Sequence, residues 1–85
     1  DLQEIYQAAI DGRGELLIVH NDFLQPVLMT GSRTFDIIKD TSTPGAVDDI
    51  TSSIAWEVLS KKGRTIFTTQ DEIKDLNKIA LKTRY

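Results

Sequence analysis

The chain contains no cysteine. A disulfide framework, a thiolate metal site and a thiol nucleophile are therefore excluded, and the composition fits a reducing, cytoplasmic setting, although absence of cysteine is also compatible with export. No apolar run approaches the ~20 residues that a membrane-crossing helix needs, and no stretch resembles a signal peptide, so no membrane partner is expected. A basic excess is also lacking. Ten Lys and Arg stand against 13 Asp and Glu, for a formal charge of -3. Polyanion binders usually carry a basic excess, because counterion release supplies most of their non-specific affinity. The pI of about 4.9 thus disfavours a nucleic-acid platform, although a local basic patch is compatible with it. There is one histidine, and no internal repeat or low-complexity tract.

What is present describes one small globular domain. The 85 residues are 40% hydrophobic and 27% charged, which disfavours disorder. A chain of this length removes roughly 60–65% of its unfolded surface on folding. It opens at Asp1 without an initiator Met, which suggests the carboxy-terminal domain of a longer protein.

Leu2, Ile5, Tyr6, Ala9 and Ile10 recur at helical spacing and mark one apolar face. Asp1 can cap that helix, and Gly12 or Gly14 can end it. Leu16 to Val19 is a continuous apolar run, as expected of a central strand buried on both faces. Val27–Met29 and Thr34–Ile38 predict a hairpin around Thr30-Gly31-Ser32-Arg33, with Pro26 at its entry. Thr43 before Pro44 reads as an N-cap followed by proline at the first helical position. The long helix then runs over 44–62, with Val47, Ile50, Ile54, Ala55, Val58 and Leu59 on its apolar arc and Gly63 closing it. Arg64–Thr69 is strand-like, with Ile66 and Phe67 expected inside. Gln70–Leu76 predicts a short helix or turn, and Asn77–Tyr85 a last strand. In that strand Ile79 and Leu81 face the core, while Lys78, Lys82 and Arg84 keep the other face wet and discourage edge pairing. Strands interleaved with helices predict a single α/β domain over 1–85, with a mixed central sheet and a crossover helix.

No catalytic constellation emerges. His20 stands beside Asn21 and Asp22 at a strand end, where α/β folds often hold ligands. No motif places a nucleophile next to it, and one histidine does not make a zinc site. A capping, turn or surface role is the expectation, and an enzyme would need a pocket that gathers His20 with carboxylates. Gly12-Arg13-Gly14 follows a helix, whereas a phosphate-cradling turn follows a strand, so no nucleotide cofactor is expected. Asp48 and Asp49 are adjacent and on a helix point ~100° apart; they complement the helix dipole better than they form a carboxylate pair. Arg13, Lys61, Lys62 and Arg64 are candidate anion or RNA contacts, set against the plainer reading of a solvated helix C-terminus. Trp56 falls opposite the Ile50/Ile54/Val58 stripe, near Ser52 and Ser60. Large aromatic area with a polar handle is typical of interfaces, so these three residues are the candidate docking surface. The alternative is packing at the edge of a broad face.

The stretches AAIDGRGELLIVHND, DDITSSIAWEVLSKKGRTIF and NKIALKTRY together resemble the carboxy-terminal domain of bacterial relatives of archaeal and eukaryotic class-1 peptide-chain release factors and Pelota. The matching features are Gly12-Arg13, the run Leu16–Val19, Gly63, Ile66–Phe67 and the closing Arg84-Tyr85. The resemblance implies a three-layer α/β/α sandwich similar to the kink-turn-binding ribosomal protein fold. It also implies a translation-related role without peptide hydrolysis. The family's hydrolytic Gly-Gly-Gln loop belongs to another domain and does not occur here. The corresponding domain of the classical factors docks partner proteins, and relatives of the fold bind RNA through basic surface. The expectation is a non-enzymatic protein-docking domain, with RNA binding as the alternative.

Overall fold

A computed structural model describes residues 1–70 and 78–84. In chain order the elements are α1 (Leu2–Ile10), β1 (Gly14–His20), β2 (Val27–Met29), β3 (Phe35–Ile37), β4 (Ala46–Val47), α2 (Ile50–Ser60), β5 (Arg64–Thr68) and β6 (Ile79–Thr83). The domain is α/β, as its sequence predicts, but its strands form two sheets. The first has the order β5-β1-β6 and the second β3-β2-β4. In the first sheet β1 pairs parallel with β5 and antiparallel with β6. The mixed sheet is therefore real, and its centre is the Leu16–Val19 run. The second sheet is wholly antiparallel and lies within the connection from β1 to α2.

Both helices pack on the face of the first sheet that bears Leu17, Val19, Ile79 and Leu81. Leu17, Ile50, Ile54, Val19, Val27 and Val58 are the largest fully buried side chains. Each aliphatic side chain of this size contributes about 1.5–3 kcal/mol when taken out of water. On the other face Leu16, Ile18 and Ala80 are half-buried and Ile66 is exposed. Among the described residues no helix covers that face, so β1 is fully buried on one side only. The described structure supplies one helical layer, and the three-layer arrangement is not established by it.

α1 begins where Asp1 accepts the N–H groups of Gln3 (2.7 Å) and Glu4 (3.2 Å). It ends with a paired set of bonds: Gly12 donates to Ala9 and Arg13 to Ala8, with Gly12 left-handed at φ 76°. Of the two glycines expected to stop the helix, Gly12 does so; Gly14 is the first residue of β1. A polar stripe at every fourth residue then fixes the second sheet to α1. Gln3 accepts the N–H of Phe35 (3.0 Å), Gln7 donates to the carbonyl of Arg33 (2.9 Å), and Asp11 takes a forked bond from the Arg33 guanidinium (2.6 and 3.0 Å). Tyr6 meets Phe35 edge-on at 5.7 Å from the same helix.

The start of α2 differs from the sequence expectation. Thr43 and Pro44 do not open the helix. Ala46 donates back to the Thr43 carbonyl (3.1 Å), Gly45 turns left-handed, and Ala46–Val47 pairs with β2. A long-range ladder outweighs the local capping signal there. The cap is Asp49, which accepts from the N–H of Thr51 (3.1 Å) and from its hydroxyl (2.6 Å). Asp48 lies outside the helix and is exposed, so the dipole reading holds for Asp49 alone.

The end of α2 is also reassigned. Lys62 donates to Leu59 and Gly63 to Val58, the same bond pair that ends α1. The left-handed residue here is Lys62, at φ 72°. Gly63 is required for another reason: a Cβ there would lie 2.5 Å from the Gly14 carbonyl and 2.6 Å from Val58 Cγ1.

Ile66 and Phe67 are exposed, not buried. β5 is an edge strand of the described sheet, Ile66 lies on its uncovered face, and Phe67 stands at its rim. At the other edge Ile79 is buried, Leu81 is half-buried and Lys82 is exposed, as the alternation predicts. The expected short helix or turn at 71–76, and Tyr85, lie outside the described residues.

Candidate functional site

The outer side of α2 follows from its periodicity. Ile50, Ile54, Ala55 and Val58 turn inward, which leaves Trp56 on the far side of a 100°-per-residue helix. Trp56 is 66% exposed and Leu59 57%. Beside Trp56 runs an open groove of about 400 Å³ lined by Tyr6, Ser52, Ser53, Trp56 and Glu57. α1 supplies one wall through Tyr6. Of the three sequence candidates, Trp56 and Ser52 meet here. Ser60 is exposed on the same helix, but its hydroxyl donates to the Glu57 carbonyl (3.0 Å) and it does not line the groove. Ser52 Oγ leans toward Asp49 Oδ2 at 3.4 Å. Tyr6 and Glu57 were not legible as lining residues. Tyr6 sits on the apolar stripe of α1, and only the side-by-side placement of the helices turns it toward Trp56.

The basic candidates also converge. α1 and α2 end at the same pole, where a Cβ on Gly12 would stand 3.5 Å from Lys61 Cδ. Arg84 clamps the pole: its N–H donates to the Arg13 carbonyl (2.8 Å) and its guanidinium to the Lys61 carbonyl (3.0 Å). Lys61 is paired with Glu57 one turn back. Among the described residues Arg13, Lys62 and Arg64 are exposed and form no ion pair. Two helix C-termini end here, so part of this positive charge offsets the helix dipoles. The strand alternation places Arg84 on a wet face, and its clamp on this pole comes from tertiary contacts.

The Arg33 guanidinium holds the Asp11 carboxyl below its ordinary range, chiefly by hydrogen bonding, which outweighs desolvation; the charges of Arg33, Arg13 and Lys61 add to the lowering. Asp40 is lowered in the same direction by hydrogen bonds from Ser42.

His20 is not on the surface. It is 6% exposed, at the end of β1 between the ends of β5 and β6. Its Nδ1 is 2.6 Å from Asp22 Oδ1, and Asp22 is also 3.5 Å from Lys78 Nζ. The Asp22 backbone N–H also donates to this Nδ1 at 3.2 Å. Nε2 is buried and, among the described residues, has no hydrogen-bond partner. Burial rules out the surface alternative, while the turn role holds: His20 accepts the N–H of Asp22 at its ring and that of Phe23 at its carbonyl. Among the described residues no three His, Cys, Asp or Glu side chains gather as a metal site. His20 does not line the groove beside Trp56. Among the described residues no helix is long and apolar enough to cross a membrane. No protein-family model matches the chain, and no curated protein matches it in sequence.

Proposed function

We propose that this chain is a non-enzymatic protein-docking domain whose contact surface is the outer side of α2. The observation that carries this reading is the exposure of Trp56 beside Leu59, at the rim of a groove walled by Tyr6. Exposing a tryptophan leaves a large apolar area in water, and docking removes that area at a site that also offers serine hydroxyls. The partner is another protein or another domain of the same polypeptide. The resemblance to release-factor relatives supports a translation-linked, cytoplasmic, bacterial setting. A three-layer sandwich belongs to the same reading: Leu16, Ile18, Ile66 and Ala80 form the face that a second helical layer would cover.

A photo-reactive residue placed at Ser52 tests the surface. It is expected to yield a discrete protein adduct, whereas the same residue at Ser42, on the loop before β4 and outside the groove lining, gives only background. Equal adducts from both positions would contradict the reading.

RNA binding at the basic pole is the second reading, favoured by the exposed Arg13, Lys62 and Arg64. Binding would weaken steeply with salt. A mobility shift with structured RNA that shows no complex at low salt removes it.

A further inference from the structure

The two edges of the first sheet are unlike. On β6, Lys82 and the following Arg84 interrupt the edge with charge, and Arg84 is bonded back to Arg13 and Lys61. Charged edge residues are a common device against strand addition. β5 has no such guard beyond Arg64 at its first position. Its sequence is Arg-Thr-Ile-Phe-Thr, without proline or a bulge in its pairing to β1. Among the described residues only β1 pairs with it. Ile66 and Phe67 are 44% and 58% exposed, one on each face of the strand. α2 packs against β5. Leu59, about 60° round the helix from Trp56 and on the side away from Tyr6, adds apolar surface on that flank. An apolar edge that is unpaired among the described residues is a template for another strand.

We infer that β5 pairs antiparallel with β5 of a second copy of this chain, about a two-fold axis at Ile66, joining the two mixed sheets into one. The strand's own register suits this occupant. With Ile66 facing its own copy, Arg64 faces Thr68 and Thr65 faces Phe67, so the strand's only charge meets no like charge. The pairing is self-complementary, as a two-fold interface requires. It covers Ile66 and Phe67 together. It does not depend on the groove beside Trp56.

Sedimentation equilibrium of the 85-residue chain over a range of concentrations tests this. A reversible dimer is expected. Ile66→Lys puts two like charges opposite each other and is expected to weaken the dimer at least about tenfold, with the helical signal unchanged. Thr68→Glu puts a carboxylate opposite Arg64 twice and is expected to tighten it by about two- to thirtyfold. A chain that stays monomeric at every concentration overturns the inference. So does a dimer indifferent to Ile66→Lys, or one that Thr68→Glu leaves no tighter. Trp56→Ala is expected to leave the dimer intact, which separates this pairing from the docking surface.

Discussion

Asp49 accepts the backbone N–H of Gln25 at 3.1 Å, across 24 residues of chain. The same carboxylate caps α2 through Thr51. The Gln25 carbonyl in turn accepts the N–H of Ile50 at 2.9 Å. One side chain thus joins the start of α2 to the segment that leads into the second sheet. Asp49→Ala removes the cap and leaves the part-buried N–H of Gln25 without its acceptor. A loss of about 1–3 kcal/mol is expected. Urea denaturation checks it, and a change within about 0.5 kcal/mol would show that the cap is dispensable.

The end of α2 makes two opposite predictions at adjacent residues. Lys62 is left-handed, a conformation that costs a side-chain-bearing residue about 1–2 kcal/mol and glycine little. Lys62→Gly is therefore expected to raise stability, by up to about 1 kcal/mol after the entropy of the unfolded glycine is counted. Gly63→Ala is expected to lower it by about 1–3 kcal/mol, because the new methyl collides with backbone at Gly14 and Val58. Thermal unfolding of the two variants decides the signs.

These residues also show what was legible in the sequence. α1, β1, the hairpin and β6 could be read because their signals are local: a 3.6-residue stripe, an apolar run, turn residues and alternation. The start of α2 was misread because Thr43-Pro44 carries a local cap signal, while Ala46–Val47 is claimed by a partner strand twenty residues earlier. Ile66 and Phe67 read as core because their residue types are apolar, but edge position is a property of strand order. Trp56 and Ser52 were placed correctly by the helical wheel. Tyr6, Glu57 and Arg84 reach their sites only through tertiary placement.

Acid should release the tie between α1 and the second sheet. Arg33 lowers the Asp11 pKa, so the folded carboxyl holds its proton less tightly than the unfolded one. Its contribution to stability is full above the unfolded value and is lost as pH falls through the lowered folded value. Both groups are exposed, so the effect is modest and salt-sensitive. Arg33→Gln is expected to move the Asp11 titration back up toward the ordinary carboxylate range. Carboxyl NMR measures this directly, and an unmoved titration would show that Arg33 is not the cause.

Arg84 is expected to matter through the carbonyl it caps. Arg84→Ala removes the donor to Lys61 at the end of α2, and a loss of about 0.5–1.5 kcal/mol is expected. Hydrogen exchange at the last turn of α2 should quicken before that of β1. Equal acceleration across the domain would contradict a local clamp.

The docking role of Trp56 is tested most directly by one paired measurement on Trp56→Ala: the urea midpoint, and the retention of bound protein relative to the parent chain. The exposed indole predicts an unfolding free energy within about 0.5 kcal/mol of the parent, together with loss of the retained partner. A stability loss of about 3–5 kcal/mol, as for a deleted core aromatic, or undiminished retention, would contradict it.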